Sequence, residues 1–186
     1  MMRNHANLST GLPGLDDVFQ GLRDGDNVVW QVDTVDQYHP IAQAFADESL
    51  RRGRRVVYFR FSRHEPLLLP VDGLEVITLE PARGFEVFVS EIHEVLVSGG
   101  RETVCVFDCL SELAADWCSD RMLGNFYMLI CPYVYDHSGA AYFSLLRNRH
   151  SFHATDPVRR TTQILIDLYG HKGHTYLHPQ KVMYRH

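Results

Sequence analysis

The sequence predicts an α/β fold, a three-layer sandwich with a mostly parallel sheet and a C-terminal antiparallel hairpin. Two short β-rich runs, residues 27–32 and 55–61, are separated by the Ala-rich segment 41–52, whose apolar residues have helical spacing. This is the pattern of a parallel βαβ unit, because parallel strands need a long crossover connection. Near the C-terminus, residues 161–169 and 174–183 flank a turn sequence that is typical of a hairpin.

The region between these ends continues the alternation of strands and helices. The expected elements are a strand at 74–79, a helix from Phe85 to the Gly99-Gly100 stop, a buried strand at 103–107, a helix at 120–129 limited by Pro132, and a strand at 140–146. Helices that alternate with strands pack on both faces of one sheet. We therefore expect a single domain over residues 1–186.

Composition narrows the classes of function. The chain has 18 Lys and Arg against 23 Asp and Glu, a net charge of −5, which argues against a nucleic-acid-binding surface. Its four cysteines form no CxxC pair, as expected for reduced thiols. The sequence shows neither a secretory signal nor an apolar run of membrane-spanning length. We expect a cytoplasmic protein without membrane partners, and the strand-like last residues indicate the N-terminal fragment of a longer polypeptide.

Two motifs resemble those of an ATPase family. The sequence TGLPGLDD at 10–17, followed by GLRDGD at 21–26, is similar to the lead-in of the KaiC branch of RecA-like ATPases. The run VCVFD at 104–108 resembles the Walker B strand of that family, which implies that Asp108 would help to hold hydrated magnesium. Lys181, with Arg185 beyond it, resembles the lysine that reaches the nucleotide of a neighbouring subunit. The resemblance therefore implies a RecA-like fold and a homo-oligomer.

The phosphate loop of such ATPases is missing. After the first strand the chain reads DTVDQYHP, no Gly occurs between Gly25 and Gly53, and the only lysines are Lys172 and Lys181. A phosphate loop needs Gly to turn its amides inward and a lysine to neutralise charge. Each carboxylate about 5 Å from a phosphate would cost on the order of 3 kcal/mol at an effective dielectric of about 20. The residues at this degenerate loop are Asp33, Asp36, Gln37, Tyr38 and His39.

A second resemblance spans the whole chain. Its segments FDCLSELAADWCSD, LRNRHSFHA and HPQKVMYRH look like the KaiC-like module that precedes phosphoenolpyruvate synthase or pyruvate, phosphate dikinase domains in multidomain proteins. In active KaiC-like proteins the strand similar to VYFRFSR ends with acidic residues, where this chain has Ser62 and Arg63. The resemblance implies phosphotransferase domains, in the same or a partner polypeptide, as partners.

A basic cluster follows the strand at 140–146. Arg147, Arg149, His150 and His153 are expected at its carboxyl end, where α/β sheets place ligand crevices, and they could bind a phosphate or carboxylate. The alternative is that they form ion pairs inside a former active site. His171, His174 and His178 on the hairpin lack a completing ligand for a metal, and no motif identifies Ser111 or Cys109 as a nucleophile.

Three functional hypotheses follow. The first is a noncatalytic pseudo-ATPase module that docks to or regulates a phosphotransferase-type protein, with no catalytic residue, metal or cofactor of its own. The second is an ATPase with an atypical phosphate site, which would bind ATP and magnesium. The third is a sensor of a phosphometabolite or a carboxylate.

Overall fold

The chain folds around one seven-stranded sheet, as seen in a computed structural model that describes residues 8–100, 103–117, 119–137 and 139–184. The strand order across the sheet is β3-β2-β4-β5-β1-β6-β7. The strands are β1 (Asp26–Val32), β2 (Arg55–Arg60), β3 (Leu74–Thr78), β4 (Thr103–Cys109), β5 (Ala140–Leu146), β6 (Ile164–His171) and β7 (His174–Val182).

Six α-helices and one 3-10 turn occupy the described connections. The helices are α1 (Pro13–Phe19), α2 (Val35–Arg51), α3 (Phe85–Gly99), α4 (Ser111–Asp116), α5 (Asp120–His137) and α6 (Phe152–Thr161), and the 3-10 turn is Pro81–Arg83. In the described part of the chain, no helix is both long and apolar enough to cross a membrane.

Side chains of successive strand residues pack against different helical layers. Val28 and Trp30 in β1 belong to a buried cluster with α1 and α2, whereas Val29 belongs to a cluster with α3, α4, α5 and α6. This alternation follows from the two-residue period of a strand. Both faces of the sheet are therefore covered by helices, which confirms the predicted three-layer sandwich.

Strand pairing brings six carboxyl ends, those of β1 to β6, to one edge of the sheet. The pairs β1–β5, β1–β6, β2–β3, β2–β4 and β4–β5 are parallel, and β6–β7 is antiparallel, as predicted. β1 lies between β5 and β6. The residues that follow β1, β2, β4 and β5 therefore meet above the same edge, where ligands bind in open α/β sheets.

Two helix boundaries differ from the sequence predictions. α2 begins at Val35 rather than near residue 41, so most of the expected loop is helical. α5 continues through Pro132 to His137. Pro132 has no amide to donate to the carbonyl of Met128, but Met128 is 45% exposed, so that water can reach this part of the helix. α6, with Pro157 inside it, was not predicted.

Candidate functional site

The connection from β1 to α2 is a tight turn of two residues, Asp33 and Thr34. The amide of Asp33 donates to Oε1 of Gln37 at 2.8 Å, so the helix's own side chain satisfies a donor that a phosphate loop would direct at a ligand. The expected degenerate loop is therefore not a loop, because residues 35–39 already form the start of α2.

The side chains assigned to that loop do not converge on one pocket. Asp33, Asp36 and His39 are exposed, whereas Tyr38 is fully buried. The Tyr38 hydroxyl lies 3.5 Å from the carbonyl of Phe107, and burial raises the pKa of Tyr38 well above its ordinary value. Tyr38 is thus a core residue of the α2–sheet interface.

Arg147 covers the carboxyl end of β1. Its Nη1 lies 3.2 Å from Oδ1 of Asp33, and its Nη2 donates to the carbonyls of Leu168 at 2.7 Å and Gln31 at 3.3 Å. Asp167 lies 3.9 Å from Nη2. This arrangement supports the internal ion pairing that the sequence left open, because the guanidinium occupies the position above β1 with partners from the same chain.

Asp108 lies at the carboxyl end of β4, as the Walker B resemblance implies, but both of its oxygens already accept hydrogen bonds. Oδ2 accepts from Nη1 of Arg60 at 2.6 Å and from the amides of Phe61 and Ser62 at 2.8 Å each. Oδ1 accepts from the hydroxyl of Tyr58. The carboxylate is fully buried, so a magnesium ion would have to displace these donors.

The Asp108 network extends to the connection between β2 and β3. Burial, followed by the nearby Asp108 carboxylate, raises the pKa of Tyr58, whose hydroxyl oxygen also accepts from the amide of Leu67 at 2.9 Å. Nη2 of Arg60 donates to the carbonyl of His64. Asp108 therefore fixes the segment after β2, where the sequence has Ser62 and Arg63 in place of acidic residues.

The predicted anion cluster is only partly assembled. Arg147 and His150 line a crevice of about 280 Å³, together with Gln31, Leu145, Leu146, Asn148, Thr155, Arg159 and Asp167. Arg149 and His153 are exposed and do not line it. Arg159, at the end of α6, takes part instead. Nε of Arg147 is buried and has no hydrogen-bond partner among the described residues.

His150, which lines the crevice, belongs to a serine–histidine–aspartate relay whose other two members, Ser111 and Asp120, lie behind it and do not line the crevice. Nε2 of His150 lies 2.7 Å from Oγ of Ser111, and Nδ1 of His150 lies 2.6 Å from Oδ1 of Asp120. No sequence motif identifies this group, because Asp120 and Ser111 lie 30 and 39 positions from His150, in the connection before β5, whereas His150 follows β5. Only the parallel order of β4 and β5 brings them together.

Close packing of α5 against α6 holds the relay. A Cβ atom at Gly124, one turn beyond Asp120, would lie 2.8 Å from the carbonyl oxygen of Ala154 in α6. Oδ2 of Asp120 accepts from the amide of Ser151 at 2.6 Å. Burial alone would raise the pKa of Asp120, but hydrogen bonds from Ser151 and His150 outweigh it and hold the pKa below its ordinary value.

Lys181 is engaged within its own chain. Its Nζ donates to the carbonyls of Arg159 at 3.0 Å and Arg160 at 2.8 Å. Both lie in the last turn of α6, where carbonyls have no partner within the helix. Burial lowers the pKa of Lys181. Within the single chain this lysine stabilises the end of α6, and its inter-subunit role stays a prediction. Arg185, its proposed companion, lies outside the described residues.

The ATPase-like lead-in has a structural role here. Asp16 accepts hydrogen bonds from Oγ of Ser9 at 2.5 Å and from the amide of Thr10 at 2.6 Å. Gly11 has a φ of +83°, and a Cβ atom there would lie 2.5 Å from the backbone of Ala44 in α2. The motif thus fixes the N-terminal segment against α2.

The hairpin histidines do not form a metal centre. Over residues 8–100, 103–117, 119–137 and 139–184, no group of three or more His, Cys, Asp or Glu side chains is arranged to hold a metal ion. Cys105, Cys109 and Cys131 are buried and form no disulfide among the described residues. Burial raises the pKa of Cys109, which keeps this thiol protonated and unreactive.

No protein-family model matches this chain, and no curated protein matches its sequence.

Proposed function

We propose that this chain is a RecA/KaiC-like module without ATP chemistry, which docks to or regulates a phosphoenolpyruvate/pyruvate phosphotransferase-type protein. The observation that carries the proposal is the occupation of the nucleotide position by the chain's own groups. Asp108 accepts four hydrogen bonds from β2 and the residues after it, and the β1–α2 connection is a two-residue turn.

The charges at the carboxyl end of β1 also oppose a polyphosphate. Asp33 is about half exposed, and its partner Arg147 is held by the carbonyls of Leu168 and Gln31. A phosphate that recruited Arg147 would leave Asp33 unpaired beside it. Repulsion of about 3 kcal/mol per carboxylate at close range corresponds to roughly a hundredfold loss of affinity.

A docking role is supported by an apolar surface on α5. Phe126 and Tyr127 are buried, so the aromatic part of this helix belongs mainly to the core. Met128, Leu129 and Tyr135 remain 45–46% exposed on the same helix. Neighbouring exposed apolar side chains of this kind are typical of interfaces between protein domains.

Calorimetric titration with Mg²⁺ and ATP tests the proposal that the module has no ATP chemistry. We expect no saturable heat at millimolar nucleotide. Binding that requires magnesium and is lost in the Asp108→Asn variant, with the fold intact by circular dichroism, would contradict the proposal and favour the atypical ATPase.

Sedimentation of the chain with phosphoenolpyruvate synthase-type domains tests the proposed docking to a phosphotransferase-type protein. We expect a complex that the double variant Met128→Ser, Leu129→Ser weakens at least tenfold, whereas the exposed Val18→Ser variant on α1 leaves it unchanged. The absence of a complex with such domains, in trans and in one polypeptide, would overturn the docking role.

The crevice beside Arg147 favours one second candidate, a sensor of a small carboxylate or phosphometabolite. The lining contains the guanidinium groups of Arg147 and Arg159 and the carboxylate of Asp167. Because Arg147 is also paired with Asp33, Arg159 is the group that would bind a single anion. Thermal unfolding with pyruvate, phosphoenolpyruvate and ATP separates the candidates, because a ligand that binds the folded state raises its stability. A shift with phosphoenolpyruvate that is lost in Arg159→Ala would favour the sensor.

A further inference from the structure

We propose that Ser111, His150 and Asp120 form a nucleophilic serine site that cleaves small esters or thioesters carrying one anionic group. This activity goes beyond the proposed docking function and does not depend on it, because it uses neither Asp108 nor the β1–α2 turn. It rests on the geometry of the relay and on the crevice next to it.

The hydrogen-bond partners of His150 determine which of its ring nitrogens carries the proton. Oδ1 of Asp120 accepts from Nδ1–H of His150 at 2.6 Å, which fixes the tautomer whose Nε2 carries a lone pair. That lone pair faces Oγ of Ser111 at 2.7 Å, so the hydroxyl donates to the imidazole. A base hydrogen-bonded to a hydroxyl and oriented by a carboxylate is the arrangement that activates serine for nucleophilic attack.

The Ser111 hydroxyl has three polar neighbours within the chain. Its oxygen accepts from the amide of Leu146 at 2.9 Å and lies 2.7 Å from Nε2 of His150. The Ser111 side chain is also within hydrogen-bonding reach of the buried thiol of Cys109. The Leu146 amide thus holds the hydroxyl beside the imidazole.

Low exposure strengthens the relay. The His150 side chain is 5% exposed and the Asp120 side chain is 34% exposed. Limited access of water to the imidazole increases the electrostatic effect of Asp120, because the local dielectric constant is lower than in bulk solvent. Asp120 touches neither substrate nor reacting atoms, so it is a positioning residue.

The adjoining crevice defines the substrate class. His150 lines it with the guanidinium groups of Arg147 and Arg159, and its volume of about 280 Å³ suits a molecule of small metabolite size. The guanidinium group of Arg159 in the lining is a donor for an anionic oxygen. A small ester with a carboxylate or phosphate group matches these features.

The reaction has two balanced steps. Oγ of Ser111 attacks the carbonyl carbon as its proton moves to Nε2 of His150, and the bond to the leaving alcohol or thiol breaks as that group takes the proton. Water then attacks the acyl-serine, gives a proton to His150, and releases the acid while the serine regains its proton. Neither step needs an oxidant, a reductant or a metal ion.

Labelling with a fluorophosphonate tests for an activated serine. Oγ of Ser111 should displace fluoride from phosphorus, and peptide mass spectrometry should place the adduct on Ser111. The Ser111→Ala variant should give no adduct, and His150→Gln should label at least about a hundredfold more slowly. Ser98→Ala, an exposed serine on α3, is the matched control and should label like the parent chain.

Hydrolysis of 4-nitrophenyl acetate and 4-nitrophenyl hemisuccinate measures turnover and charge preference. We expect the anionic hemisuccinate to be favoured at least tenfold, and Arg159→Ala to lower the ratio of hemisuccinate to acetate turnover at least tenfold. Asp120→Asn keeps the shape of the side chain but presents the wrong partner to His150, so kcat should fall at least about a hundredfold with little change in KM.

Different results are expected if the relay has only a structural role. The variants would then be less stable than the parent chain, both parent and variants would be unreactive toward the probe and the esters, and Ser111 would not be labelled selectively. If the folded parent chain shows no labelling of Ser111 above that of Ser98 or Ser151, and no ester turnover above that of Ser111→Ala, the proposal is wrong.

Discussion

Replacing Asp108 by alanine should test its role in the fold most directly. In an ATPase the equivalent change mainly affects metal binding. Here Asp108 is fully buried and connects β4 to the segment after β2 through Arg60, Phe61 and Ser62. We therefore expect Asp108→Ala to reduce the free energy of unfolding, even in the absence of any nucleotide.

The magnitude follows from the groups that lose their partner. The Arg60 side chain is only 17% exposed, and breaking a buried ion pair by removing one partner costs about 3–5 kcal/mol. The Phe61 and Ser62 amides and the Tyr58 hydroxyl would also lose an acceptor, although water entering the vacated space can satisfy some of them. We expect a total loss of about 4 kcal/mol, which is a large part of the about 5–15 kcal/mol typical of a domain.

Two further variants should reduce the free energy of unfolding by smaller amounts. Asp108→Asn should cost about 1–2 kcal/mol, because its oxygen can still face the amides while its nitrogen donates to the Tyr58 hydroxyl oxygen. Asp116→Ala removes a surface pair with Arg63, which lies 3.3 Å away and is 89% exposed, and should cost less than about 1 kcal/mol.

Urea unfolding followed by circular dichroism measures all three free energies. The expected order of destabilisation is Asp108→Ala, then Asp108→Asn, then Asp116→Ala. A loss below about 1 kcal/mol for Asp108→Ala would refute the argument, since it would mean that the buried donors have other partners.

The remaining predictions concern local contacts. Gly11→Ala should lower the unfolding free energy by about 1–3 kcal/mol more than Gly53→Ala, because both glycines have positive φ but only Gly11 approaches a neighbouring backbone within 2.5 Å; equal losses in urea unfolding would contradict the packing argument. Lys181→Met should lower the melting temperature without changing the sedimentation coefficient, because Lys181 caps α6 within the chain; a change in oligomeric state would instead support an inter-subunit role. Asp120 has a pKa below its ordinary 3.8 in the folded chain, so its contribution to stability is present above about pH 4 and is lost as pH falls through the folded-state pKa. Asp120→Asn should therefore flatten this part of the stability–pH curve, and an unchanged acid limb would show that another carboxylate controls it.

The sheet could be predicted from the sequence because its strands are buried on both faces. Val56 to Phe59 and Val104 to Phe107 form continuous apolar runs, each limited by polar residues, and both are fully buried. The hairpin could also be predicted, because a turn sequence that contains Gly170 and Gly173 separates its two strands. In the structure Gly173 has a positive φ, as such a turn requires. Such local signals suffice for the strands and their alternation with helices.

The start of α2 shows how a motif can hide a helix signal. Residues 33–40 were interpreted as the position of a phosphate loop, although Thr34 followed by Gln37 has the spacing of a helix capping box. In the structure Thr34 is the N-cap residue, although its side chain makes no capping hydrogen bond, and Gln37 accepts from the amide of Asp33, the residue before the N-cap. The Thr–Gln spacing therefore marks the correct start of α2, although a complete capping box does not form.

The candidate relay could not be predicted because its members are brought together only by strand order. Ser111 follows β4, His150 follows β5, and Asp120 begins α5 between those strands. None of the three lies in a recognisable motif, and sequence spacing does not show which connections meet. Arg147 and Asp108, by contrast, were identifiable as residues at strand ends, but the sequence did not show that their hydrogen-bonding capacity is used within the chain.

The shortage of lysine has a practical consequence for labelling. Of the two lysine side chains, Lys181 holds two carbonyls of α6, whereas Lys172 lies exposed in the turn between β6 and β7. Amine-reactive dyes at moderately alkaline pH should therefore modify Lys172 in preference to Lys181. A fluorophore introduced there would report on anything that approaches the hairpin, without disturbing the opposite edge strand β3.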